Sequence, residues 1–191
     1  MGNRADALAA TRERIARAVL RLLLDKAYED VRLADIASAA EVSHQTVLNH
    51  YESKEGATLA AIELLRTETE QLRISVRRGD PKHAVEVLVE QYERFGDLNV
   101  HWAMSAERLG RLAGLLDDAR AAHQRWLEET FAASLPATPA ARRQTVNALH
   151  AATDVYTWKL LRRDLALSRP ETIRTMTALV RGVLDRKQDD R

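Results

Sequence analysis

The chain is expected to be all-α, for three reasons visible in its sequence. Apolar residues recur at helical spacing from end to end, no segment alternates with the two-residue rhythm of a strand, and Gly79-Asp80-Pro81, Gly96-Asp97 and the loop marked by Pro136 and Pro139 punctuate the periodic runs. The pattern divides into about nine helices. They form an N-terminal three-helix domain over residues 1–53 and a larger helical domain over 54–191, joined by a linking helix of about 54–78.

The first helix spans Thr11 to Lys26, with Ile15, Val19, Leu22 and Leu23 as its buried stripe and Arg12, Arg14, Arg17 and Arg21 on its wet side. Those arginines fit a solvated face as well as they fit a phosphate backbone. The small and polar residues before Thr11, Arg4 among them, read as a mobile arm or a helical extension, with disorder the expectation. In the next helix, Leu33, Ile36, Ala37 and Ala40 share one face at i, i+3, i+4 and i+7. A corner, Glu41-Val42-Ser43, then supplies Ser43 as the N-cap of a short helix from His44 to about His50. That helix buries Val47 and keeps His44, Gln45, Thr46 and Asn49 outward.

Ser53 caps the linking helix, whose apolar positions Leu59, Ile62, Leu65, Leu72 and Val76 carry it towards Arg78. Gly79-Asp80-Pro81 reads as a stop, a cap and a first helical residue, starting a helix to about Phe95 that Gly96-Asp97 is expected to break. Asn99 to Leu116 is less regular, with Gly110 and Gly114 inside it, and Asp117 to Leu135 is helical again. Thr138-Pro139 opens a long helix to Asp164; Ser168 and Glu171 have capping-box spacing ahead of a stripe from Ile173 to Leu184. The charged end, Asp185 to Arg191, is expected to fray.

Composition narrows the function. Without cysteine there are no disulfides, thiolate metal sites or cysteine nucleophiles, and a reducing cytoplasmic location is the expectation. No apolar run is long enough to span a bilayer, so no membrane partner is expected. The six histidines are scattered without the i, i+4 spacing of paired ligands, so neither a metal nor a cofactor is expected. No phosphate loop, nucleophile elbow or acid–base pair stands out, which argues against an enzyme. Net charge is +1, with acids and bases balanced over residues 1–56, where many DNA-binding domains carry a basic excess.

Two short helices around a tight corner are the helix-turn-helix unit, whose second helix reads base edges in the major groove. Gln45 and Asn49 have the amide chemistry for adenine, Thr46 suits a thymine methyl or a phosphate, and His44 can donate to guanine. Lys54, at the start of the next helix, suits a phosphate. An ordinary helical hairpin inside a bundle, with small-molecule-binding or enzymatic chemistry elsewhere, accounts for the same periodicity.

From about residue 11 to 60 the order and spacing of residues resemble the DNA-binding domain of the TetR family of bacterial repressors. The matching run is Ala27-Tyr28, Asp35-Ile36-Ala37, Ala40, Val42-Ser43, Thr46-Val47, His50-Tyr51 and Ser53-Lys54-Glu55. The resemblance adds Ser43, His50 and Tyr51 to the expected DNA-contacting set. It implies a sequence-specific repressor, a homodimer formed through the last two long helices, a palindromic operator, and release by a small, largely apolar effector bound in the C-terminal domain. Three positions depart from the family pattern: Glu41 replaces the usual turn glycine, Arg32 the usual hydroxyl cap, and Leu48 the usual aromatic.

An effector site needs apolar walls and a few placed polar groups. His101, Trp102 and Met104 in the glycine-interrupted region, Trp126, and the one-face set His150, Asp154 and Trp158 are the expected ligand-binding residues. The alternative for each is core packing or a hydrogen bond within a dimer seam.

Overall fold

The computed structural model describes residues 2–104, 112 and 114–185. Its helices are α1 (Gly2–Asp25), α2 (Leu33–Ala39), α3 (His44–Tyr51), α4 (Lys54–Ile74), α5 (Pro81–Met104), α6 (Gly114–Thr130), α7 (Pro139–Thr153), α8 (Val155–Lys159) and α9 (Arg169–Asp185). Short 3₁₀ turns lie at Tyr28–Asp30 and Ala132–Ser134, and a π turn at Leu160–Asp164. No strand occurs among the described residues, and no described helix is long and apolar enough to cross a membrane. The chain divides into two compact units, 1–70 and 71–191.

In the first unit α1 starts at Gly2 rather than near Thr11, so the segment takes the helical extension and not the expected disorder. Ala5, Ala7, Leu8, Ala9 and Ala10 are strong helix formers, and they extend the helix without a tertiary partner to dictate it. The side chain of Arg4 lies outside the described residues. Ile15, Val19 and Leu23 from α1 meet Val31, Ile36, Val47 and Ala61 in a core that excludes water. Ala37 and Ala40 are buried as well, the small side chains that permit close approach of neighbouring helices.

The second unit is built on α5. Val85, Leu88, Val89 and Tyr92 line its inner side and join Leu127, Phe131, Leu149, Trp158, Met176 and Val180 in one core. Contrary to the sequence expectation, α5 does not break at Gly96-Asp97. Gly96 is a packing residue instead: a Cβ there would lie 2.4 Å from the Trp158 ring, so the missing side chain makes room for the indole. Asp97 serves the same contact from outside, accepting from Arg163 Nε at 2.9 Å and Nη2 at 2.8 Å, while the Arg163 guanidinium sits over the Trp158 ring at 4.5 Å.

Four other boundaries differ from expectation. The linking helix α4 ends at Ile74, where the Ser75 hydroxyl donates to Leu72 O at 2.7 Å and competes with the next helical turn. Gly114 opens α6 rather than interrupting a helix, and Gly110 lies outside the described residues. The helix that starts at Thr138-Pro139 stops at Thr153 because Asp154 is extended and its carboxylate accepts from Tyr156 N at 2.8 Å, capping α8. After the π turn, Leu165 N bonds Leu160 O at 2.8 Å, and the chain passes through Ala166 at φ 52° before α9. Other expected punctuation holds, although Thr138 precedes Pro139 without a side-chain cap hydrogen bond. Gly79 adopts φ 75°, Asp80 accepts from His83 N at 3.0 Å, and Ser168 N bonds the Glu171 carboxylate at 2.9 Å. Residues 186–191, where fraying is expected, are not among those described.

Gly96→Ala is expected to lower stability by roughly 1–3 kcal/mol through overpacking against Trp158. A thermal melt of the variant checks it, and an unchanged midpoint would show that the indole can move aside.

Candidate nucleic-acid interface and a second polar cluster

The corner between α2 and α3 is a Schellman turn. Glu41 N bonds Ser38 O at 3.1 Å and Val42 N bonds Ala37 O at 3.0 Å, with Glu41 itself at φ 53°. A non-glycine residue thus occupies the left-handed position, at a cost of about 1 kcal/mol. At its other end α2 is started by Asp35, which accepts from Arg32 N at 3.0 Å; the Arg32 guanidinium has no acceptor to cap with.

What holds this corner comes from α1. Arg14 Nε donates to Ala40 O at 2.8 Å and Arg21 Nη2 to Ala39 O at 2.8 Å, so two cations meet the carbonyl end of α2. Arg12 does the same for α3, reaching His50 O at 3.4 Å while its guanidinium lies 4.9 Å from the Tyr51 ring centroid. Charge and orphan carbonyl are complementary at a helix C-terminus, so these arginines act as caps supplied in trans. Arg17 pairs with Glu13 at 2.8 Å and Glu68 at 2.6 Å.

The outward face of α3 is compact. Ser43 Oγ accepts from Thr46 N at 3.0 Å and lies 2.8 Å from Thr46 Oγ1, fixing the first turn. His44, Gln45 and Asn49 are exposed, and Gln45 Nε2 donates to Asn49 Oδ1 at 2.9 Å. The two amides therefore stand as one unit above the buried Val47. His50 is half-buried. Tyr51 is buried, with its hydroxyl donating to Arg12 O at 2.8 Å, so it lies on the inner side of α3. Leu48 is half-buried. The Lys54 ammonium donates to Tyr28 O at 3.0 Å and sits 4.2 Å from the Tyr28 ring centroid, tying the 3₁₀ turn to the start of α4. Gly56 lets α4 leave α3 closely, since a Cβ there would meet Tyr51 O at 2.3 Å.

Residues 15–61, which hold α2, α3 and the start of α4, match the family model for bacterial regulatory proteins, tetR family. Over these residues the chain is similar to the TetR family. The TetR-like fold extends over the rest of the chain. A transcriptional regulator from Rhodococcus sp. Rha1 superposes with a TM-score of 0.72 at 19% identity, covering 91% of this chain and 96% of that one. A second, described as a transcriptional regulator of the TerR/AcrR family from Aquifex aeolicus VF5, gives 0.63 at 19% identity, covering 91% and 97%. No curated protein matches the chain in sequence. Residues 15–61 are thus similar in sequence to the tetR-family regulatory proteins, and a TetR-like fold covers 91% of the chain.

In the second unit, three of the expected ligand residues come together and four do not. Trp126 stacks on His123 at 5.7 Å and 20°, His150 meets the His123 ring edge-on at 4.9 Å, and His150 Nε2 lies 3.3 Å from Asp154 Oδ2. Trp158 faces elsewhere. It is fully buried against Tyr92 and Gly96, because the break at Asp154 removes it from the face it was expected to share with His150. Trp102 is buried near the end of α5, His101 is half-buried, and Met104 is 69% exposed. Sequence reasoning did not single out Arg73, Gln91 or Thr153, yet all belong to the cluster. Arg73 Nε donates to Gln91 Oε1 at 2.9 Å with its guanidinium 4.9 Å from the Trp126 ring, and Tyr92 Oη donates to Thr153 O at 2.9 Å. Their signal was absent because each lies on a different helix and none is apolar. Among the described residues no three histidines or carboxylates converge as a metal set.

Burial, with Arg73 and His150 nearby, holds His123 well below the usual imidazole range, so the folded protein keeps it neutral. Burial alone would raise the Asp154 carboxyl, but the bonds from His150 and from Tyr156 N hold it below its ordinary value.

Arg14→Ala should cost about 1 kcal/mol by uncapping α2. Denaturant unfolding checks it, and no loss would show that water replaces the guanidinium. His123 gives a second expectation. Its folded pKa lies below the unfolded value of 6.5, so the unfolded chain takes up the proton first and stability falls as pH drops below that value. Unfolding free energy measured from pH 7.5 to 5.5, on the order of one unit either side of an unperturbed imidazole, should fall less in His123→Gln than in the native protein. Equal slopes would place His123's titration at its ordinary position.

Proposed function

We propose that this protein is a cytoplasmic, homodimeric transcriptional repressor that binds a roughly palindromic operator and is released by a small-molecule effector. The observation that carries the reading is α3: a capped helix with His44, the Gln45–Asn49 pair and Thr46 turned outward over the buried Val47. In this reading Ser43 and Thr46 meet backbone or thymine, the amide pair reads adenine, His44 and His50 lie at the groove edges, and Lys54 contributes charge near a phosphate. Tyr51 acts through its hold on Arg12 rather than by touching DNA.

Dimerisation is supported by apolar side chains that a lone chain leaves in water around the last helices. Tyr156, Leu160, Leu165 and Leu179 are 45%, 49%, 58% and 46% exposed. Such residues on α8, the π turn and α9 suit a two-fold seam, and a two-fold dimer presents its reading helices to half-sites about one DNA turn, or a multiple of it, apart. Effector coupling is supported by Arg73. It lies in the last turn of α4, the helix whose first residue is Lys54, and it is held by Gln91 and Trp126. A ligand competing for the Trp126 face would disturb that hold, and it shifts the DNA equilibrium only if it binds the DNA-incompetent state more tightly.

The test is salt-titrated binding to DNA upstream of the protein's own gene. Specific binding with a steep salt slope is expected, and binding no tighter than to random sequence would count against the reading. Asn49→Ala and Gln45→Ala should each relax discrimination at their base positions by about 1–3 kcal/mol while leaving the salt slope unchanged. Full operator selectivity in both variants would show that α3 is not the reading helix.

A further inference from the structure

Thr153 determines the protonation of His123. Thr153 Oγ1 lies 2.7 Å from Leu149 O, too close for two oxygens without a proton between them, so the hydroxyl donates there. Its contact to His123 Nε2 at 2.9 Å must then run the other way, with Nε2–H donating and Thr153 accepting. The other ring nitrogen, Nδ1, is therefore a bare lone pair. It is buried without a hydrogen-bond partner among the described residues, in a side chain only 6% exposed. Beside it are the stacked Trp126 ring, half-buried, and the edge-on His150 ring.

We propose that His123 Nδ1 is the orienting acceptor of the effector site, and that the effector is a neutral, flat, largely apolar molecule carrying an O–H or N–H donor, of the phenol class. The inference rests on the effector-released reading above and deepens it. Each part of the class follows from a contact. The unsatisfied group is an acceptor, so the ligand donates. A cationic donor is disfavoured by Arg73, whose guanidinium faces Trp126. A carboxylate would set lone pair against lone pair, because His123 is kept neutral by its burial and by Arg73 and His150. The Trp126 and His150 rings supply flat apolar walls.

The experiment uses the full chain with ¹⁵N-labelled histidine, His123 being assigned by its absence from the His123→Phe spectrum. The apo protein should show the Nε2–H tautomer at His123, and phenol should shift Nδ1 as a hydrogen bond forms. In titrations, phenol should bind about tenfold tighter than anisole, which has the same ring and no donor, and tighter than benzoate. In His123→Phe the phenol-to-anisole ratio should fall to about one. An Nδ1–H tautomer overturns the proposal, as does failure of phenol to bind, or anisole or benzoate binding as tightly. The wild-type titrations with phenol, anisole and benzoate decide the matter even if the variant does not fold. Operator binding by the same preparation separates the two claims. A protein that binds operator but ignores phenol fails only this proposal. One that binds phenol with the donor preference but no operator supports it and overturns the DNA-reading assignment.

Discussion

Three guanidinium groups on α1 hold the carbonyl ends of the two short helices that make the corner. A helix of seven or eight residues is marginal by itself, and most of its stability must come from neighbours. Here α2 and α3 are not only packed through Ile36 and Val47 but terminated by Arg14, Arg21 and Arg12 reaching across from α1. The arrangement also explains why balanced net charge is compatible with a DNA-binding domain. Several of its cations are committed to the protein's own backbone, so a formal count measures the fold as much as the phosphate contacts.

The helical class, the corner at Glu41 to Ser43 and the caps at Ser43, Asp80 and Ser168 were legible in the sequence because each is a local rule, set by residues within four positions of one another. The failures share the opposite property. Gly96 reads as a breaker from its neighbours and is a packing surface because of Trp158, far along the chain. Asp154 reads as one position in a long helical stripe and is a cap that ends the helix. Arg12, Arg14 and Arg21 read as a wet face and are ties, since their acceptors are backbone carbonyls that no sequence pattern displays.

The candidate sites follow the same division. The outward residues of α3 could be picked out because a cap and a single buried valine set the phase of a short helix. In the second unit, periodicity could nominate aromatics without saying which would meet. The cluster that did form draws Arg73 from α4, Gln91 and Tyr92 from α5, His123 and Trp126 from α6, and His150 and Thr153 from α7. Such convergence is tertiary information.

The bond between Gln45 and Asn49 bears on how selectivity can arise. Two amides already satisfied by each other have little to gain from a base that offers only one complementary group. Docking on the wrong sequence then exchanges one adequate partner for another, whereas a base edge presenting both a donor and an acceptor engages the pair together. In the proposed reading the amide pair is closed at rest. Its discrimination would lie less in how strongly it holds the right base than in how little it loses by refusing the wrong one.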